Sequence, residues 1–273
     1  MKEMDTDPVG IFDSGVGGLS VALAIRRLMP DLQLIYVGDS GHVPYGGHEQ
    51  SFIRGRARVI AGFLLDQGVR AVVIACNTAT AAAAADLRSE LPIPVVAMEP
   101  AVKPAAAATR SGIVGVLATA GTLASARFAG LLDRFGEGVT VLTEPCPELV
   151  TLVEQGALEG PETERLVSGH VDPLVEAGAD TLILGCTHFH FLRDVIQRRA
   201  GSGVTVIDTG LAVARQLMRV LGGSNGSSGG SNGGAVGETG WIRTFTSGDP
   251  AAFTATSRLL WPGLTEALPL PAG

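Results

Sequence analysis

The 273-residue chain is short of positive charge, of aromatics and of lysine, and each shortage narrows what it can do. Its formal net charge is −7 and it has no extended Lys/Arg run, so it presents no basic face to a phosphate backbone. Nucleic acid is not an expected partner. Apolar runs are broken by Gly, Pro or charge well before the about 20 residues that a bilayer span needs. The opening Met1-Lys2-Glu3-Met4-Asp5 has no apolar signal region, so a cytoplasmic location without membrane contact is expected. Three cysteines, Cys76, Cys146 and Cys186, are an odd number and argue against a disulfide framework. Lysine occurs only as Lys2, in a terminal tail, and Lys103, at a helix start. Pyridoxal phosphate is held through a lysine Schiff base, and neither residue follows a strand facing a cleft, so chemistry without a cofactor is expected.

With 46% hydrophobic and 17% charged residues, the chain has enough apolar side chain for one large core or two moderate ones. Apolar strand-length runs alternate with stretches of helical spacing. Val9–Phe12, Leu34–Val37, the run before Cys76 and Val95–Ala97 form a first set; Ile113–Leu117, Val139–Leu142, the run before Cys186 and Val204–Ile207 form a second. This alternation predicts βαβ units and mainly parallel sheets. Glu144-Pro145-Cys146-Pro147 reads as a turn. From 222 to 240 the sequence is mostly Gly, Ser and Asn and is expected to be a flexible insert. Trp241–Thr246 and Pro250–Leu260 read as a strand and a helix too small for a core of their own, expected to pack back on one unit.

Two cysteine turns organise the pattern. In Val72-Val73-Ile74-Ala75-Cys76-Asn77-Thr78 and in Leu182-Ile183-Leu184-Gly185-Cys186-Thr187-His188, a buried-strand run gives way to a small residue, a cysteine and polar side chains opening a helix-like stretch. Matching strands precede them, Asp13 lying 63 residues before Cys76 and Ala118 lying 68 before Cys186. A duplicated α/β unit is the simplest cause. Open α/β sheets place ligand groups at the carboxyl ends of their strands, so two facing units would set the cysteines on opposite walls of one cleft. Two matched thiols suit a reaction that removes a proton from one face of a carbon and returns one to the other, each group serving as base or acid. A nucleophilic cysteine enzyme needs one such thiol and an activating base. Asp13, at the first strand end, and His188, two residues beyond Cys186, are candidate proton partners. Cys146 lacks the strand-to-polar context and is read as a core residue.

Three further motifs have competing uses. Asp13-Ser14-Gly15-Val16-Gly17-Gly18 resembles a phosphate turn but has Ser20 where the dinucleotide fingerprint ends in glycine, and no P-loop lysine. Cys186, His188 and His190 suggest a metal site, and hence a metal-dependent hydrolase, but no second ligand cluster accompanies them; no bound metal is expected. Asp39 and Asp208, each after a strand, can serve as helix caps, which is the preferred role for Asp208.

Five ordered motifs resemble the cofactor-independent aspartate/glutamate racemase superfamily, and within it the glutamate racemases. They are Gly10–Gly18, Gly38-Asp39-Ser40 with Pro44-Tyr45-Gly46, Ala75–Thr80, Gly115–Thr119 and Leu184–His188; the stretch around Ser247-Gly248-Asp249-Pro250 resembles the family's C-terminal end. The resemblance implies two similar parallel-sheet α/β domains related by a pseudo-twofold axis, residues 1–100 with 210–273 and residues 101–209, with the active site in the cleft. It implies interconversion of L- and D-glutamate for peptidoglycan precursors, with Cys76 as base for D-glutamate and Cys186 for L-glutamate. Asp13, Ser14, Tyr45, Gly46, Asn77, Thr78, Thr187 and His188 would bind substrate, and Asp39 and Glu154 fall where the family has acidic residues that assist proton transfer. A homodimer is expected. Ser40-Gly41-His42-Val43 and Phe189-His190-Phe191 depart from the family pattern. A racemase fold without activity that binds a protein such as gyrase is a competing reading, and aspartate racemase is a rival inside the superfamily.

Overall fold

The computed structural model describes residues 7–222 and 240–271. The Gly/Ser-rich insert, apart from Gly222 and Gly240, lies outside the described residues, as does Lys2. The chain opens with β1 (Val9–Asp13), α1 (Leu19–Leu28), β2 (Leu34–Gly38), α2 (Gln50–Asp66), β3 (Ala71–Ile74), α3 (Asn77–Glu90) and β4 (Val95–Ala97). It continues through α4 (Val102–Ala108), β5 (Ile113–Ala118), α5 (Ala120–Leu123), α6 (Ala126–Phe135), β6 (Thr140–Pro145), α7 (Pro147–Glu154), α8 (Pro161–Glu176), β7 (Thr181–Leu184), α9 (Arg193–Ala200) and β8 (Thr205–Ile207). Then come α10 (Gly210–Val220), β9 (Ile242–Thr246), α11 (Pro250–Leu260) and the short β10 (Leu268–Pro269).

All strand pairs are parallel. The first sheet runs β10-β9-β2-β1-β3-β4 and the second β6-β5-β7-β8. The order β2-β1-β3-β4 thus recurs as β6-β5-β7-β8, which is the duplication visible in the sequence. In both sheets the cysteine strand lies beside the strand that begins the unit, β3 beside β1 and β7 beside β5. Crossovers leave the sheet on opposite faces there, and the crevice at the strands' carboxyl ends is the natural ligand position. A left-handed glycine ends the helix before each cysteine strand, Gly68 at φ 73° and Gly178 at φ 93°.

The central strands β1, β2, β3 and β7 are buried on both faces, whereas the edge strands β6 and β10 are partly or wholly exposed. Ile11, Val73 and Ala75 join a core cluster with α1, while Phe12, Val72 and Ile74 point into a second cluster under α2 and α3. The first cluster continues through Leu149, Val153, Phe189 and Leu217, so the units share one core on the α1 side. A third cluster packs α4 and α6 on the remaining face of the second sheet. Before the insert, α10 packs against α1; after it, β9 adds to the first sheet beside β2.

Three local expectations differ from the structure. Pro145 ends β6 instead of forming a turn; β6 is an edge strand, where a missing N–H costs no ladder bond. Ala124, Phe128, Leu131 and Phe135 recur at helical spacing and predict one helix, but the chain forms two, α5 and α6, broken where Ser125 caps α6 by accepting from Phe128 N–H. Cys186 is followed by a 3-10 stretch, His188–Leu192, before α9, whereas Cys76 leads directly into α3. No helix among the described residues is long and apolar enough to cross a membrane.

Candidate active site

Strand ends from both units meet around a small pocket. Its wall includes Asp13, Ser14, Tyr45, Gly46, Cys76, Asn77, Thr78, Cys186, Thr187 and His188, so the structure brings together all eight residues expected to bind substrate and both cysteines. Pro44, Thr119, Val150 and Gly185 complete it. Asp39 and Glu154 are not in the wall; each reaches it through another side chain.

Cys76 occupies the N-cap of α3, where its sulfur accepts from Ala79 N–H at 3.4 Å and lies 4.0 Å from Ser14 Oγ. Burial, and then the charge of Asp13, push its thiol well above the ordinary range. Asp13 is fully buried at the end of β1. Its Oδ2 accepts from Gly18 N–H at 2.6 Å and from Thr187 Oγ1 at 3.4 Å. Burial raises its pKa, with His188 pulling the other way.

The second cysteine has different neighbours. Cys186 Sγ lies 3.6 Å from His188 Nδ1, and His188 Nε2 lies 2.6 Å from Glu154 Oε1. Burial alone would neutralise this imidazole, but its hydrogen bonds and attraction to Cys186 and Glu154 outweigh burial and raise its pKa well above the ordinary value. The two thiols therefore have unlike neighbours, a buried carboxyl beside Cys76 and an imidazole of raised pKa beside Cys186.

The glycine-rich turn after β1 builds this arrangement and does not form a phosphate cradle. Val16 N–H donates to Glu154 Oε1 at 2.8 Å and Gly18 N–H to Asp13, so both amides are engaged. A Cβ on Gly15 would stand 1.9 Å from Glu154 Oε1, and one on Gly17 would stand 2.3 Å from His188 Nδ1. The glycines are what lets the turn lie flat on the Glu154–His188 pair.

At the edge of the cavity Thr78 Oγ1 lies 2.9 Å from Thr119 Oγ1 and 3.2 Å from Thr122 Oγ1, joining α3 to the end of β5. Asn77 is buried, yet neither its Oδ1 nor its Nδ2 has a hydrogen-bond partner in the protein. An unpartnered amide in a cavity wall is costly unless a ligand completes it.

Asp39 is turned away from the thiols. Arg56 donates to it in bidentate fashion, Nε to Oδ2 at 3.0 Å and Nη2 to Oδ1 at 2.8 Å, and Tyr45 Oη donates to Oδ2 at 2.5 Å. Burial pushes this carboxyl up, but Arg56, Ser247 and Tyr45 outweigh it and hold the pKa at about 2. The tyrosine, not the carboxylate, meets the cavity.

Residues read otherwise fall elsewhere. His190 Nδ1 pairs with Asp208 Oδ2 at 3.4 Å, and no His/Cys/Asp/Glu group suited to a metal ion occurs among the described residues. Asp208 accepts from Gly210 N–H at 3.1 Å, at the head of α10. Cys146 is a core residue whose sulfur donates to the Glu144 carbonyl at 3.2 Å. Lys103 Nζ stands over the Phe135 ring, remote from the cavity wall. Arg56, Thr122 and Val150 carry no site signal in the sequence, and Thr119 carries one only as the end of the Gly115–Thr119 motif.

A family model described as Asp/Glu/Hydantoin racemase matches residues 20–217. A glutamate racemase of Pseudomonas putida strain KT2440 is 56% identical over 255 residues, covering 93% of this chain and 94% of its own. Among solved structures, Escherichia coli glutamate racemase, in complex with L-glutamate and the activator UDP-MurNAc-ala, is 31% identical with a TM-score of 0.83, covering 96% of this chain and 97% of that one. Glutamate racemase of Francisella tularensis in complex with D-glutamate is 26% identical, TM-score 0.80, with 98% of each chain covered.

Proposed function

The chain belongs to the Asp/Glu/hydantoin racemase family and is an amino-acid racemase, and from that premise we propose that it interconverts L- and D-glutamate by proton transfer between Cys76 and Cys186. The observation that carries this reading is the pair of buried cysteines, delivered from equivalent strand ends of two sheets to one cavity. Residues 1–100 with 210–273 form one domain in this reading and 101–209 the other, so a domain supplies each base.

In the L-to-D direction, Cys186 thiolate removes the α-proton, the substrate passes through a carbanionic state, and Cys76 thiol delivers its proton to the opposite face. Cys186 ends as thiol and Cys76 as thiolate, the pair that begins the D-to-L direction. His188, fixed by Glu154, lies within proton-transfer reach of Cys186 Sγ; Asp13, whose pKa is raised by burial, suits proton exchange with Cys76. The Asn77 amide, Ser14, Thr78, Thr187 and the Tyr45–Gly46 corner would hold the polar groups of the amino acid. The D-glutamate formed would serve peptidoglycan precursor synthesis.

Circular dichroism of pure L- and D-glutamate incubated with the protein tests the reaction, both samples being expected to decay to zero signal. In heavy water, early product should carry deuterium at the α-carbon while remaining substrate stays protiated, because a different group returns the proton. No decay from either enantiomer would overturn the substrate, and deuterium appearing equally in substrate and product would overturn the two-base scheme.

A further inference from the structure

Asp39 sits at a cavity corner it never enters. Its carboxylate is fully buried and committed to Tyr45 Oη, to both arms of the Arg56 fork and to His42 Nδ1 at 3.1 Å. Arg56 comes from the middle of α2, the 17-residue helix that follows the 3-10 turn Tyr45–Gly47, and its side chain is 21% exposed. The guanidinium therefore reaches inward from near the surface, crosses beneath the loop and fixes an anion that in turn fixes a tyrosine hydroxyl.

The same loop is held from its other side by the returning C-terminal segment. Ser40 Oγ and Thr246 Oγ1 lie 2.5 Å apart, and Gly41 N–H donates to Ser247 Oγ at 3.1 Å. The fit is close: a Cβ on Gly248 would stand 2.5 Å from Ser40 Oγ. Gly46 lies against Thr119 of the opposite unit, where a Cβ would come within 2.9 Å. The loop from 39 to 47 is thus pinned at three places, and its one contribution to the cavity is Pro44, Tyr45 and Gly46.

We propose that Arg56, acting through Asp39, is a positioning residue that sets the Tyr45–Gly46 wall of the substrate cavity, and that Asp39 carries no proton in the reaction. The inference rests on the glutamate-racemase reading for its kinetic consequences, but the wall itself can be probed without substrate. A bidentate Arg–carboxylate pair supplies direction as well as attraction, which a lysine at the same place does not. Loss of the fork frees the Asp39 carboxylate to turn and lets Tyr45 leave the wall. Binding suffers while the two thiols, on the ends of β3 and β7, keep their places.

The test compares Arg56→Ala, Arg56→Lys and Tyr45→Phe with the parent protein. Arg56→Lys keeps the charge beside a buried carboxylate and guards against a fold defect in Arg56→Ala. KM for both glutamate enantiomers should rise about tenfold in Arg56→Lys and Tyr45→Phe, the effect of one charge-assisted hydrogen bond. The pH profile of kcat and the primary isotope effect with α-deuterated glutamate should stay as in the parent. Methylguanidine should restore KM in Arg56→Ala. Without substrate, iodoacetamide should alkylate Cys76 faster in each variant, read by mass spectrometry of the Cys76 peptide.

Unchanged KM together with unchanged alkylation would overturn the proposal. So would a fall in kcat with a shifted acid limb, which would return Asp39 to proton transfer. A parent protein that leaves glutamate untouched would instead overturn the reading of the reaction, and the alkylation rates would still decide whether Arg56 holds the wall.

Discussion

Glu154 and His188, 34 residues apart in the chain, meet at 2.6 Å, and this contact is what makes the surroundings of the two cysteines unlike. The carboxylate arrives at the end of α7 and the imidazole just after β7; the turn after β1 then lies across both. Around Cys76 there is a buried acid, and around Cys186 a cation held by an acid. The two-base scheme proposed above calls for unlike partners of this kind, because one thiol must give a proton while the other takes one.

Replacing Glu154 by Gln should lower the His188 pKa, since the Glu154 hydrogen bond and charge both raise it. A folded pKa above the unfolded value contributes stability that is complete below the ordinary imidazole range and lost as pH rises through the folded value. Glu154→Gln should therefore lose stability most in mildly acidic solution and least in alkaline solution. Its kcat should fall about tenfold, with the alkaline limb of the pH profile displaced to lower pH, as read by circular dichroism rates and thermal melts. A profile coincident with the parent's would remove the Glu154–His188 pair from proton transfer.

Asp13 carries the opposite sign. Its folded pKa is raised, chiefly by burial, so the ionised carboxylate opposes folding once pH exceeds the ordinary aspartate range. Asp13→Asn should melt at or above the parent temperature near pH 7 to 8, because the amide oxygen can still accept from Gly18 N–H without a buried charge. Activity should drop by about 100-fold, the usual size of a lost proton partner. A variant that melts higher and works as well as the parent would show Asp13 to be structural.

The cysteine pair makes a directional prediction. Because the equilibrium between enantiomers is symmetric, kcat/KM must change equally in both directions, and racemisation rates cannot tell which thiol serves which hand. Elimination from a glutamate analogue bearing a leaving group at the β-carbon can, since it needs a single proton removal. Cys76→Ser should process only the L analogue and Cys186→Ser only the D analogue, each racemising at least about 1,000-fold more slowly than the parent. Cys146→Ser should racemise normally with a stability loss of about 1 kcal/mol, its hydroxyl replacing the thiol donor to the Glu144 carbonyl. Equal loss on both hands would sink the two-base assignment.

Asn77→Ala isolates substrate recognition from folding. The amide has no partner within the protein, so removing it should not destabilise the fold and can raise the melting temperature slightly. KM for glutamate should increase about tenfold while the isotope effect on proton removal persists. A variant that unfolds, with KM unchanged, would show that the amide is satisfied by the protein in solution.

Local chemistry made part of this legible in the sequence. Runs such as Val72-Val73-Ile74 and Leu182-Ile183-Leu184 are long enough for doubly buried strands and too short for helices, and each stops at a small residue and a cysteine, so strand ends bearing thiols follow from pattern alone. Their repetition with similar spacing after β1 and β5 implied a duplicated unit, and α/β geometry then placed both thiols at a cleft. Asn77 and Thr78, fixed at the start of the helix that Cys76 caps, came with them.

What the sequence left open depended on contacts between distant segments. Pro145 signalled a turn because proline lacks an N–H, and only the strand order, with β6 at an edge, makes that loss harmless. Asp13-Ser14-Gly15-Val16-Gly17-Gly18 has the composition of an anion cradle; its amides are instead engaged by Asp13 and by Glu154, which is 138 residues from Val16. Asp39 reads locally as a group after a strand that can cap a helix, and the family resemblance gives it a part in proton transfer; the Arg56 fork, coming from the next helix, holds it beside Tyr45. Strand ends are set by local burial and periodicity, whereas the direction of a charged side chain is set by whichever opposite charge the fold brings beside it.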